Sequence, residues 1–143
     1  MRAMPLSKHD REQFLAEPHV AALSVAAGPE RGPLTVPIWY QYSPGGELWF
    51  HTPVGSRKAR LIDAAGRVSL MVDVADERIC YVSVEGPVVR TEPGTDEVVR
   101  EMSARYLPAE RVASYVEFAL AEHGEQVVYV VRPERWLSAD LTS

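Results

Sequence analysis

Cys80 is the only cysteine in 143 residues, so no disulfide can close within the chain and no cysteine-rich zinc site can be assembled. Long apolar runs are missing as well. Nothing approaches the ~20 residues of a membrane-crossing helix, and Met1 to Ser7 lacks the apolar stretch of a secretory signal. A cytoplasmic protein with no membrane partner is therefore expected. Positive charge is in deficit: 15 Lys and Arg against 20 Asp and Glu leave a net charge of -5. That balance argues against nucleic acid as a partner, because a sequence-independent grip on phosphates is made by clustered basic residues. The four histidines are scattered, with no paired carboxylates and none of the close spacing of a metal site. No Gly-x-Ser-x-Gly elbow is present, which removes the usual serine-nucleophile arrangement.

With 46% hydrophobic and 24% charged residues, the chain is apolar enough to build a core and too apolar to stay disordered. There are no repeats, linkers or low-complexity tracts, and one domain over 1–143 is expected. Ser7 reads as the cap of a short first helix ending before Pro18. Residues 19–27 read as a strand, and Gly28-Pro29-Glu30-Arg31-Gly32 as a turn. Leu34 to Tyr42 is rich in β-branched and aromatic residues and reads as one strand, followed by the turn Ser43-Pro44-Gly45-Gly46 and a strand from Glu47 to His51. Pro37 cannot donate to a ladder, so its strand should lie at an edge or carry a bulge, leaving backbone available to a ligand.

Further on, Ser56 to Ala65 has helix composition and Gly66 would stop it. Strands are expected at 67–73 and 79–91, with Gly86-Pro87 marking a bulge. Thr95 caps a third helix, and after Pro108 a fourth shows Val112, Tyr115, Val116, Ala119 and Leu120 at helical spacing, read as a core stripe. Residues 126–132 form the last expected strand, leaving 134–143 as a tail. About six strands with helices inserted between hairpins cannot make a parallel doubly wound sheet, which needs a crossover between neighbours. A small antiparallel barrel is the economical answer, a mainly β fold with flanking helices.

The stretch most informative about chemistry is Leu48-Trp49-Phe50-His51-Thr52-Pro53-Val54-Gly55-Ser56-Arg57-Lys58-Ala59, which reads strand, glycine turn, helix start. A helix N-terminus offers unpaired N–H groups and a partial positive charge to an anion. Ser56 and Thr52 can add hydroxyls, and Arg57 and Lys58 full charges. On spacing alone the plainer alternative stands beside this one: Ser56 is only a cap, and the basic residues form a solvated face. His51 ends the strand leading into this loop and reads either as a site residue or as a rim residue with a satisfied hydrogen bond. Cys80 reads as a buried, unreactive thiol. Trp39, Trp49 and Trp136 could shape a ring pocket or pack core and interface.

The order Val36-Pro37-Ile38-Trp39-Tyr40, a hairpin, Leu48-Trp49-Phe50-His51-Thr52, then Gly55-Ser56-Arg57-Lys58-Ala59 resembles the pyridoxamine 5′-phosphate oxidase-like split-barrel superfamily. Arg67-Val68-Ser69-Leu70, Val84-Glu85-Gly86 and the ending Trp136-Leu137-Ser138-Ala139-Asp140-Leu141 extend the resemblance, the last toward its small deazaflavin-dependent reductases. It implies a six-stranded antiparallel split β-barrel of Greek-key type, and a homodimer with the cofactor in the groove between protomers. Carried over, Thr52, Ser56, Arg57 and Lys58 hold the cofactor phosphate, and the backbone of Val36, Pro37, Ile38 and Trp39 lines the tricyclic ring. Read from the residues themselves, His51 leads into the phosphate loop, Tyr81 could face the ring, and Trp136, near the tail, is expected to cross to the partner. The implied cofactor is FMN or the deazaflavin coenzyme F-420. The Gly-Ser-x-Lys-Ala form and the Ser-Ala-Asp-Leu ending side with one deazaflavin branch, whereas Ser56 and Leu61 depart from another that has a basic residue and an amide there. The implied activity is hydride transfer to or from a small organic substrate. A carrier of cofactor, haem or tetrapyrrole on the same fold is the alternative. The basic residues that true pyridoxamine phosphate oxidases carry near their C-terminus have no counterpart, so vitamin B6 oxidation is not implied.

Overall fold

The computed structural model describes residues 4–142; residues 1–3 and 143, the ends of the expected domain, lie outside the described residues. Along the chain run α1 (Lys8–Ala16), β1 (Ala21–Val25), β2 (Leu34–Ile38), β3 (Gln41–Tyr42), β4 (Leu48–Pro53), α2 (Arg57–Ala65), β5 (Arg67–Ala75), β6 (Ile79–Gly94), α3 (Asp96–Tyr106), α4 (Ala109–His123), β7 (Gln126–Val131) and β8 (Arg135–Asp140). Three helices start where a hydroxyl can take up an orphan N–H: Ser7 accepts from Asp10, Ser56 from Ala59 and Thr95 from Val98. Strand alternation points Ala21, Leu23 and Val25, then Val68, Leu70 and Val72, then Val82 and Val84 into one buried core.

The strands pair antiparallel in the order β2-β1-β5-β6-β7-β4-β3, with β8 added to β6. β2 and β3 lie at opposite ends of this order, yet only Trp39 and Tyr40 separate them in the chain. Ile38 and Gln41 are three Cα steps apart, at most about 11 Å. The sheet must therefore curl until its edges nearly meet without pairing, which is a split barrel. The single strand expected from Leu34 to Tyr42 is in fact two, on opposite lips of the split. The break is held by Tyr106 of α3. Its hydroxyl accepts from Tyr40 N–H at 3.1 Å and donates to His19 O at 2.7 Å, with Tyr40 O at 3.1 Å. Its ring stacks on Trp39, centroids 4.7 Å apart. Tyr40 thus spends its backbone groups on a side chain instead of a ladder. Tyr106→Phe is expected to cost about 1–2 kcal/mol, because it strands these groups in a partly buried seam. The check is a lower urea midpoint with an unchanged slope.

Eight strands form where six were expected. β3 is the short piece cut from the long strand, and β8 occupies residues read as a tail, pairing Val84 with Trp136 and Tyr81 with Ala139. The 16-residue β6 serves both halves of the barrel: its first half pairs β5 and β8, its second half β7. Its irregularity falls between Val88 and Arg90 rather than at Gly86-Pro87, where Gly86 pairs in register with Val68. α3 and α4 pack together around Val99, Val112 and Val116. Leu120 of the expected core stripe packs against this cluster and also lines a cavity, together with Tyr115 and Ala119. No helix among the described residues is long and apolar enough to cross a membrane.

Candidate functional site

The loop between β4 and α2 is built by local rules. Gly55 takes φ +75°, a left-handed conformation that a side chain would strain. Ser56 follows in extended geometry, and its Oγ accepts from Ala59 N–H at 3.1 Å. The cap leaves the N–H groups of Arg57 and Lys58 in the first helical turn without a backbone partner. Behind the helix, the Tyr129 hydroxyl of β7 lies 2.9 Å from Asp63 Oδ1 and 3.2 Å from Ala59 O, tying α2 to the barrel. Burial, reinforced by Asp63, pushes the Tyr129 phenol well above its ordinary value, so it stays a donor.

The helix start divides the basic residues. Arg57 is exposed, and Arg60 turns back to donate to the carbonyl of Gly55. Lys58 points the other way. It is partly buried, has no carboxylate within 4.0 Å among the described residues, and its ammonium is held below the ordinary lysine value by burial. It lines a cavity of about 450 Å³ together with Pro37, Ile38, Trp39, His51, Thr52, Pro53 and Gln126. α3 and α4 supply the opposite wall through Val99, Ser103, Tyr115, Ala119, Leu120 and His123, and Val20 completes it. Among the described residues no Asp or Glu lines this cavity, although the chain as a whole carries a net charge of -5. Among those residues its only permanent charge is Lys58.

Thr52 is buried at 1% exposure, with Oγ1 3.4 Å from Ser56 Oγ. The His51 ring is hydrogen-bonded through Nδ1 to Gln126 Oε1 at 2.9 Å. Burial foremost, and the charge of Lys58 in addition, hold its pKa below the ordinary value against the opposing pull of Gln126, so it favours the neutral form. His51 thus has the satisfied hydrogen bond of a rim residue, and its ring also lines the cavity. Pro37 lies on β2, which is an edge strand as its missing donor requires. Cys80 is buried, and burial pushes its thiol up, away from the reactive thiolate.

Six of the expected site residues thus meet in one place: Pro37, Ile38, Trp39, His51, Thr52 and Lys58. Ser56 caps the helix beside them. Val36 packs partly buried against the core and faces a shallower groove with Val20 and Met71. Tyr81 pairs with Asp73 and Ala139 in the other half of the sheet. Trp136 lies edge-on to Tyr42 at 6.0 Å with the Arg11 guanidinium 4.7 Å over its ring, so neither reaches this cavity within one chain. Gln126 and the whole α3–α4 wall went unnoticed in the sequence. A strand's first glutamine and an apolar helix face carry no local mark of a site; only the meeting of β4 and β7 reveals them.

The family model described as pyridoxamine 5′-phosphate oxidase matches residues 7–139. No curated protein matches the chain at a significant level. Among solved structures, an F-420 reductase is similar at TM-score 0.68 and 24% identity, covering 88% of this chain and 94% of that one. A FAD-binding protein from Mesorhizobium loti reaches TM-score 0.63 at 20% identity, over 98% and 97%. A conserved hypothetical protein from Mycobacterium tuberculosis reaches 0.68 at 23%, over 94% and 85%. At these identities the structures establish the fold and nothing finer.

Proposed function

Since the chain belongs to the pyridoxamine 5′-phosphate oxidase family, whose model covers residues 7–139, we propose that its cavity holds a phosphorylated flavin-type cofactor, coenzyme F-420 or FMN, for hydride transfer to or from a small organic molecule. The observation that carries this reading is an unpaired lysine in a cavity without carboxylates on an acidic protein. Even a partly buried ammonium without a partner carries a desolvation cost that an anion would offset. The residues present fit such a group: about 450 Å³ lies within the usual range of small-molecule sites. Lys58 and Thr52 would hold the phosphate beside the first-turn N–H groups of α2, with Ser56 fixing that turn and Arg57 adding charge from its exposed flank.

Pro37, Ile38 and Trp39 would give the ring a flat apolar rest, with Trp39 held in place by the Tyr106 ring stacked on it. When bound, the cofactor supplies the redox chemistry; the protein binds, orients and excludes water. Val99, Ala119 and Leu120 do the last of these from the helix wall.

The same reading includes a homodimer. Val20 and Met71 are exposed beside Pro37 in the groove adjoining the cavity, and a second copy packed there would enclose the ring. Light scattering should then report twice the chain mass; a monomer that binds cofactor at full strength removes the shared site. The main test is mass identification of any ligand that co-purifies, with titration of both cofactors and a reduction assay. A tightly held pigment that cannot be reduced or oxidised by any small molecule would make the protein a carrier instead.

A further inference from the structure

A neutral imidazole has one donor and one acceptor nitrogen, and its neighbours decide which is which. For His51 the deciding neighbour is Gln126. The amide of Gln126 cannot be reversed, because its Nε2 donates to Gly124 O at 3.2 Å and a carbonyl can only accept. Its Oε1 therefore faces the imidazole, 2.9 Å from Nδ1, and Nδ1 must carry the proton. Gln126 is itself buried at 6% exposure, opposite Pro53 on one side and Gly94 on the other. A Cβ at Gly94 would fall 2.4 Å from Gln126 Cβ and 2.8 Å from its backbone C and O, so the missing side chain of Gly94 is what lets β6 and β7 approach closely at Gln126. The lone pair of His51 is thus left on Nε2. That atom has no hydrogen-bond partner among the described residues and is not sealed from solvent, and its ring lines the cavity. The other ionisable groups lining the cavity are Lys58 from α2 and Tyr115 and His123 from α4, with no carboxylate among the described residues.

We propose that Gln126 is a positioning residue that locks His51 with its proton on Nδ1, so that Nε2 accepts a hydrogen bond from a hydroxyl or N–H group of the ligand whose anionic end Lys58 holds. This rests on the reading of the cavity as an anionic cofactor site and narrows its ligands to anions that also carry a donor. A ligand with an acceptor at that point would meet a lone pair and be rejected.

The lock is tested without ligand, by ¹⁵N NMR of histidine-labelled protein. A pyrrole-type Nδ1 and a pyridine-type Nε2 at His51 are expected in the wild type, and a mixture of tautomers in Gln126→Leu; a pyridine-type Nδ1 in the wild type overturns the lock. FMN titration tests the acceptor. His51→Phe should weaken binding about ten-fold, Gln126→Leu somewhat less, and the double variant no more than His51→Phe alone, since Gln126 acts through His51. Additive losses would mean that Gln126 is merely structural, and unchanged affinity in His51→Phe would sink the acceptor role while leaving the cofactor reading intact. If the wild type binds neither FMN nor F-420, the cofactor reading and the acceptor role fall together, and the nitrogen shifts alone decide the lock.

Discussion

Lys58→Ala is expected to weaken the binding of FMN or F-420 by about ten- to a hundredfold, or ~1.5–3 kcal/mol, the usual worth of one charge-assisted contact. The size of the effect follows from the surroundings. Among the described residues Lys58 is the only permanent charge on a cavity that no carboxylate lines, so no other cavity side chain can take over its role. Arg57→Ala should cost less, because Arg57 is exposed and its charge is screened by water and salt. A pH signature accompanies this. Burial lowers the Lys58 pKa, so as pH rises the free protein loses the proton, and with it the grip on an anion, at a lower pH than an ordinary lysine would. Fluorescence titration of each variant reads both effects. Equal affinities in wild type and Lys58→Ala would defeat the phosphate assignment.

Gly86→Ala is expected to destabilise the fold by about 3 kcal/mol or more, at the upper end of what overpacking does. A Cβ on Gly86 would lie 1.8 Å from Arg132 O and 2.9 Å from Arg132 C, both backbone atoms. These belong to the connection from β7 to β8, which crosses directly over β6 and cannot lift away freely. It is pinned by Arg132 N–H to Pro87 O at 3.1 Å and Glu134 N–H to Glu85 O at 2.9 Å. Relief of the clash therefore breaks the pairing of β8. Gly32→Ala is the control, since a Cβ there meets nothing within 4 Å and the φ angle is ordinary. Urea denaturation of the two variants gives the comparison; a Gly86→Ala protein as stable as Gly32→Ala would mean the crossing is not as tight as described.

Where the sequence could be read, the reason was local. Ser7, Ser56 and Thr95 cap helices because a short side-chain oxygen can reach an N–H three residues on, whatever the rest of the chain does. Pro37 marked an edge strand because it lacks a donor. The run from Leu48 to Ala59 was legible as strand, glycine turn and helix start because the three are contiguous. Where the reading failed, the cause lay far along the chain. Leu34 to Tyr42 has unbroken strand composition, and what breaks it is a hydroxyl 66 residues away on Tyr106. Trp136 is in a strand because β6 offers it a free ladder, not because its own six residues favour one.

Composition, caps and turn chemistry by themselves determined a mainly antiparallel barrel with helices between its strands, and a strand, glycine turn and helix start across residues 52–58. Each of those rests on interactions spanning a few residues, which is the range over which a sequence pattern is also a physical constraint. Tertiary structure alone decided which basic residue faces inward, that α3 and α4 wall the cavity, and that Gln126 meets His51 across 75 positions. Those outcomes depend on how a curled sheet brings β4 beside β7, and strand pairing between distant segments leaves no trace in either segment read alone.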